Sequence, residues 1–284
     1  MSLSLGQLLV HLDATPQAMQ RLDVACRIRQ AHGCAVTALY AVTPSLVELP
    51  FSPEVGPEIA ASLRDLDDER RARVRNAFDQ SLARQALDAG WAEVRDDPVI
   101  AVFAQQALYA DLLVLGQHDP AGTPQDGVPF DFVEDVMATS GKPALVLPYA
   151  GLPATLGETI VIAWKPTREA ARAVAAAVPM LQRARRVHIL SWSGDDGQQE
   201  EASIGGDLLT LTGYLKRFGV DATWHRDGRE PQQMGELLLS RAFDLEADLL
   251  VMGCYGHSRA REWVLGGTSR TVLRSMSLPV LMAH

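Results

Sequence analysis

The sequence predicts an α/β protein of two tandem copies of one plan, each an open, mainly parallel five-stranded sheet flanked by helices. Three observations predict it. A motif recurs along the chain, which is the signature of an internal duplication. Short apolar runs alternate with stretches of helical periodicity. The strongest strand candidates are apolar without interruption, as suits a sheet covered by helices on both faces. The copies are expected to span residues 1–150 and 151–284.

The recurring motif is Ala110-Asp111-Leu112-Leu113-Val114-Leu115-Gly116, which returns as Ala247-Asp248-Leu249-Leu250-Val251-Met252-Gly253. After each copy come a loop, an amphipathic stretch and a short run led by proline, Pro143–Leu147 and Pro279–Met282. The starts correspond as well. Leu8–Leu12 and Ile160–Trp164 each precede a threonine and a helical segment. The first copy is longer inside. Its excess is expected in residues 43–66, where Pro44, Pro50, Pro53, Gly56 and Pro57 cluster and predict a loop. A charged helix should follow, because Asp65, Asp67, Asp68 and Glu69 precede Arg70, Arg71, Arg73 and Arg75. Acids first and arginines a turn later favour an exposed helix through its dipole and side-chain pairing. The linker between copies runs from Tyr149 to Gly157 and is rich in small residues and proline.

In the second copy, strands are expected over 159–164 and 186–192, flanking a helix over 168–183. Ala170, Val174, Ala177 and Leu181 fall on one face of that helix. Strand 221–226, helix 231–244, strand 248–253, a helix near 262–276 and strand 279–283 complete the order β-α-β-α-β-α-β-α-β. In such a sheet a ligand binds at the carboxyl ends of the strands, where the strand order reverses. The places to look are therefore just after Leu12, Trp164, Gly116 and Gly253.

After the strand Leu249–Met252 the chain reads Gly253, two residues, Gly256, nine residues, then Gly266-Gly267-Thr268-Ser269 and a helix. Glycine lets backbone approach a ligand closely. Thr268 or Ser269 can cap the following helix, whose unpaired N–H groups and dipole make an anion site. The spacing is neither the dinucleotide fingerprint nor the Walker loop. Read without a ligand, the glycines only build a tight strand-to-helix turn. Charge argues for the anion. From Leu249 onward Arg259, Arg261, Arg270 and Arg274 face one acid, Glu262. The matching stretch of the first copy, Leu112–Leu147, has Lys142 against Asp119, Asp126, Asp131, Glu134 and Asp135, and lacks the second glycine.

Composition bounds the rest. The net charge of −9 lies in residues 1–150, with 11 basic against 20 acidic residues, while residues 151–284 hold 15 of each. That balance argues against nucleic acid and anionic membrane as partners. No stretch is apolar enough to span a bilayer and the N-terminus lacks a signal pattern, so a cytoplasmic protein is expected. Cys26, Cys34 and Cys254 form no metal or redox spacing, and the seven histidines form no zinc pattern. His257 and Ser258 sit inside the glycine loop, where phosphate contact is favoured over nucleophilic catalysis, since sequence neighbours rarely face one another. Trp164, Trp192 and Trp224 are expected as core or pocket walls.

Gly253-x2-Gly256-x9-Gly266, after an apolar strand and before a helix and a proline-led last strand, resembles the universal stress protein A family. Where the family has Ser or Thr after that last glycine, Gly267 stands, and Thr268-Ser269 follow. The resemblance covers the chain as two tandem domains, the first recognisable mainly by strand order. It implies a Rossmann-like fold of the universal stress protein type, with the two domains packed as a pseudo-twofold pair through their last strands. It also implies binding of ATP or a related adenine nucleotide, alone or with Mg2+. Carried over to these positions, phosphate and ribose contacts fall on Gly253, Gly256, Gly266, Gly267, Thr268 and Ser269, with His257 and Arg259 in the same loop. The family's nucleoside-contacting Asp is Lys165 in the second copy, where a salt bridge to phosphate is the alternative role. The first copy keeps that acid as Asp13 but lacks the loop; without a ligand, Asp13 is an exposed polar residue ending a strand. The reading that follows is a nucleotide-responsive regulatory or protective stress protein with unidentified protein partners, and a homodimer is left open. Two alternatives stand beside it: a slow ATP-hydrolysing or nucleotidyl-transfer enzyme, and a ligand-free tandem scaffold.

Overall fold

A computed structural model describes residues 4–47, 56–94, 98–120, 127–192, 209–228, 233–254 and 267–284. The chain divides into two compact units, Ser4–Tyr149 and Ala150–His284.

The first unit contains β1 (Gln7–Leu12), α1 (Gln17–His32), β2 (Ala35–Tyr40), α2 (Pro57–Gln85), β3 (Gly90–Glu93), α3 (Val99–Ala107), β4 (Leu112–Gly116), α4 (Phe132–Ser140) and β5 (Ala144–Leu147). Its strands lie in the order β3-β2-β1-β4-β5 and pair in parallel. The second unit contains β6 (Thr159–Ala163), α5 (Arg168–Leu181), β7 (Arg186–Trp192), α6 (Leu211–Arg217), β8 (Thr223–Asp227), α7 (Met234–Asp244), β9 (Leu249–Gly253), α8 (Gly267–Ser275) and β10 (Val280–Ala283). Its order β10-β9-β6-β7-β8 is the same plan, again parallel. In each unit the order reverses beside the first strand, between β1 and β4 and between β6 and β9. Each unit therefore has a crevice where those two strands end.

Local chemistry explains the elements. The central strands are fully buried: Leu112–Leu115 and Leu249–Val251 are all at 1% exposure or less. The aspartate of the repeated motif has a structural task in both copies. Asp111 Oδ2 accepts from the backbone N–H groups of Gly6 and Gln7 at 2.8 and 2.9 Å. Asp248 accepts from those of Gly157, Glu158 and Thr159, each at 3.0 Å. Each carboxylate thus ties down the start of its unit's first strand, whose leading amides would otherwise lack partners. Thr167 caps α5, its hydroxyl accepting from Ala170 N at 3.3 Å.

Two differences from the sequence reading concern the connections. The loop expected over 43–66 ends early, because α2 begins at Pro57 with Gly56 at its N-cap. Proline is well placed in the first turn of a helix, where its missing N–H has no intrahelical partner to lose. The acid–arginine order then acts within α2: Asp67 pairs with Arg70, Asp68 with Arg71, and Arg75 with Asp79. In the second unit, α6 supplies the helix between β7 and β8 that periodicity had not placed. Thr210 caps it by accepting from Gly213 N at 3.0 Å.

Candidate functional site

The crevice of the second unit lies where β6, β7 and β9 end. It is lined by Trp164, Lys165, Thr167, Glu169, Trp192, Met234, Leu238, Met252, Gly253, Gly267, Thr268 and Ser269, among others. Five of the residues singled out from sequence are brought together there: Lys165, Gly253, Gly267, Thr268 and Ser269. Gly256, His257, Arg259 and Gly266 lie outside the described residues.

Two of the glycines have different reasons to be glycine. A Cβ on Gly253 would lie 2.5 Å from Ala170 N and 2.7 Å from the carbonyl carbon of Glu169, so only glycine lets the first turn of α5 cross the end of β9. A Cβ on Gly267 would meet no atom of the described residues within 4 Å.

The hydroxyls sit differently from their expected capping role. Because α8 already begins at Gly267, Thr268 and Ser269 fall inside its first turn and not at its cap. Packing against α7 fixes this. A Cβ on Gly235 would come within 3.0 Å of Thr268 O and 2.6 Å of Thr271 Cβ, so the backbones of α7 and α8 approach closely at this turn. Ser269 is buried, Thr268 half-buried and Lys165 exposed at the rim.

Glu169 was not singled out from sequence. It stands at the second position of α5, almost fully buried at 5% exposure, and lines the crevice. Burial alone would raise its pKa, but bonds from the Arg168 guanidinium, its own backbone N–H and the Thr167 hydroxyl hold it below the usual carboxylate value. The signal available in sequence was its place shortly after the strand end, in a helix whose other buried residues are all apolar. Trp164 and Trp192, expected as walls, do line the crevice. Trp224 lies outside it and donates to Ser191 Oγ at 2.7 Å.

The first unit's crevice is built around Asp13, which is buried at 4% exposure and not an exposed strand end. Arg21, equally buried, reaches from α1 and places Nη2 2.6 Å from Asp13 Oδ2 while Nε donates to the His11 carbonyl at 2.8 Å. Thr15 donates its N–H and hydroxyl to Asp13 Oδ1. Burial would raise the Asp13 pKa; Arg21, then His11 and Thr15, bring it below the usual carboxylate value. The His11 Nε2–H donates to Ala41 O at 2.8 Å, and its ring stacks on Phe132. Burial drives the His11 pKa down to about 4. A Cβ on Gly116 would lie 2.4 Å from Arg21 Nη1, so the guanidinium fills the space beside that glycine. The offset that maps Asp13 onto Lys165 maps Arg21 onto Ala173, which is fully buried. The two crevices therefore differ in charge at corresponding positions.

Among the described residues no group of three or more His, Cys, Asp or Glu is placed to hold a metal ion. His188 and His225, far apart in sequence, meet across β7 and β8 with ring nitrogens 3.0 Å apart. All three cysteines are free and buried. No helix among the described residues is long and apolar enough to cross a membrane.

Comparison with known proteins agrees with this architecture. Residues 158–284 match the model of the universal stress protein family. A stretch of 38 residues is 55% identical to the universal stress protein Slr1230 of Synechocystis sp., spanning only 13% of this chain and 13% of that relative. Among solved structures, a universal stress protein from Archaeoglobus fulgidus DSM 4304 aligns with a TM-score of 0.69 over 98% of this chain and 97% of its own, at 13% identity. A protein of unknown function, PA1789 of Pseudomonas aeruginosa PAO1, aligns with a TM-score of 0.53 over 98% and 92%, at 15% identity. At such identities the structural likeness establishes the fold. Residues 158–284 thus carry the sequence pattern of the universal stress protein family, and the two units share the fold of solved universal stress proteins.

Proposed function

We propose that the crevice of the second unit binds ATP or a related adenine nucleotide, and that the protein is a nucleotide-responsive regulatory or protective stress protein and not a metabolic enzyme. The observation that carries this reading is the convergence of Gly253, Lys165 and the first described residues of α8, Gly267, Thr268 and Ser269, at the topological switch point. The phosphates lie over the first turn of α8, where Gly267 leaves room for them and Lys165 adds positive charge. Gly256, His257, Arg259 and Gly266, from the loop that joins β9 to α8, complete the phosphate contacts. Trp164, Trp192 and the apolar side chains of Met234 and Met252 receive the base, as aromatic faces do for nucleobases in general. Binding acts on partners by changing the surface they meet. The first unit serves as a structural or partner surface, the Asp13 of its crevice being paired with Arg21. Three buried free thiols fit a reducing cytoplasm.

Isothermal titration with ATP tests this directly. The wild type is expected to bind with one site per chain. Gly267→Asp has room for its side chain and puts a carboxylate where a phosphate would rest, so affinity should fall at least about tenfold. Equal affinity in the two proteins overturns the reading.

A further inference from the structure

The charge of Glu169 is out of place in a crevice meant only for phosphates. It is a carboxylate, it is buried at 5% exposure, and it lines the same cavity as Thr268 and Ser269. A buried carboxylate so close to a polyphosphate would oppose it. The part of a ligand that it can face is uncharged and donates hydrogen bonds, because an ionised carboxylate only accepts. Its position is fixed: the carbonyl carbon of Glu169 packs where the Gly253 Cβ would be, so the first turn of α5 is held against the end of β9. The mostly exposed Arg168 occupies one carboxylate oxygen, and the Thr167 hydroxyl and the residue's own backbone N–H also bond to the carboxylate. The strand-end position that carries Asp13 in the first unit is Lys165 here, so no acid comes from β6 itself.

We infer that Glu169 is the ribose-reading residue of this crevice: its carboxylate accepts hydrogen bonds from the vicinal 2′- and 3′-hydroxyls, and the site thereby selects ribonucleotides. A vicinal diol offers two donors at a spacing a carboxylate can take, and acidic residues fill that task in dinucleotide sites. The function that left the strand end has moved one helical turn along the chain. Glu169 contacts the sugar, the two tryptophans the base, and the first turn of α8 the phosphates. This assignment rests on the nucleotide reading above.

The test compares ATP with 2′,3′-dideoxy-ATP on the full chain, by calorimetry in EDTA and again with Mg2+. The wild type should bind ATP at least about tenfold more tightly than the dideoxy analogue, the scale of hydrogen bonds to a charged group. In Glu169→Ala the two ligands should bind alike, and in Glu169→Gln, which keeps the shape and one acceptor, the ratio should be intermediate. Thermal unfolding checks both variants, and if the alanine variant does not fold, the glutamine ratio decides. Reading the ratio separates ribose recognition from the general rise in ATP affinity expected when a negative charge is removed. A wild type that binds ATP but does not discriminate overturns the assignment, as does discrimination that survives both substitutions. Discrimination or substitution effects seen only with Mg2+ make Glu169 a metal ligand and also overturn it. A wild type that binds neither ligand overturns the nucleotide reading itself, and this assignment with it.

Discussion

Arg21 and Asp13 form a buried ion pair across the mouth of the first unit's crevice, 2.6 Å apart, with both side chains at 5% exposure or less. Their partners complete the arrangement: Thr15 on the carboxylate, the His11 carbonyl on the guanidinium. The residue that a nucleotide-binding reading would assign to a nucleoside is already bound from within the protein.

Breaking this pair on one side should be costly, since it leaves a charge buried without its counter-ion. Arg21→Met is expected to lose about 3–5 kcal/mol of stability. The double variant Asp13→Leu with Arg21→Met should recover most of that loss, because it removes both charges. Urea unfolding of the two variants checks this. A single variant as stable as the wild type would show that the pair is solvated.

Acid should destabilise the first unit in a defined window. The His11 pKa falls from 6.5 to about 4 on burial, so between those values the unfolded chain binds a proton that the folded chain refuses. Stability is thus complete above about pH 6.5 and declines as pH falls toward 4, by roughly 3 kcal/mol from this group. Asp13, whose folded pKa is below its ordinary value, adds a further loss below about pH 4. His11→Phe should flatten the profile between pH 6.5 and 4 and leave the lower limb in place. Chemical unfolding at a series of pH values reads both limbs.

Two glycines at one crevice should respond oppositely to the same substitution. Gly253→Ala drives a methyl group to 2.5 Å from the backbone of α5 and should cost about 1–3 kcal/mol. Gly267→Ala enters open space in the first turn of a helix and should be neutral or stabilising by up to about 1 kcal/mol. Differential scanning calorimetry of the pair gives the comparison.

The motif aspartates should differ in weight. Asp248 is buried and serves three amides; Asp111 is exposed and serves two. Asp248→Ala should therefore cost about 2–4 kcal/mol and Asp111→Ala about 1 kcal/mol, on the scale of bonds to charged acceptors and of buried donors left unpaired. Amide exchange at Thr159 should accelerate in the first variant and not in the second.

The thiols should be silent in the native protein. Burial pushes the Cys254 thiol up to about 12 and raises Cys26 and Cys34 as well, so none offers thiolate near neutral pH. A disulfide exchange reagent at pH 8 should titrate no thiol in the folded protein and three in denaturant.

Particular residues show how far the sequence could be read. The repeated Ala-Asp-Leu-Leu-Val motif marks the two central strands, and its offset correctly aligns Gly116 with Gly253 at their ends. The proline-led runs mark β5 and β10. These features are local: apolar runs, breakers and caps act on neighbours in the chain. Pro57 misled, because the same residue that breaks a helix interior starts one comfortably. Arg21 and Glu169 were passed over for a different reason. Each is an ordinary charged residue on a helix until the helix is laid against the sheet. Aligning the copies would have exposed Arg21, since it stands over alanine in the second one.

By itself the sequence determined the class of fold and its duplication, because periodicity is a property of the chain. Only the tertiary structure decided what the two switch points contain. There, α1 puts Arg21 onto Asp13 and α5 puts Glu169 into the lining of the second crevice. The reason is geometric: a crevice is formed by strand ends and helix starts that are distant in sequence, so its charge is set by which side chains the packing turns inward.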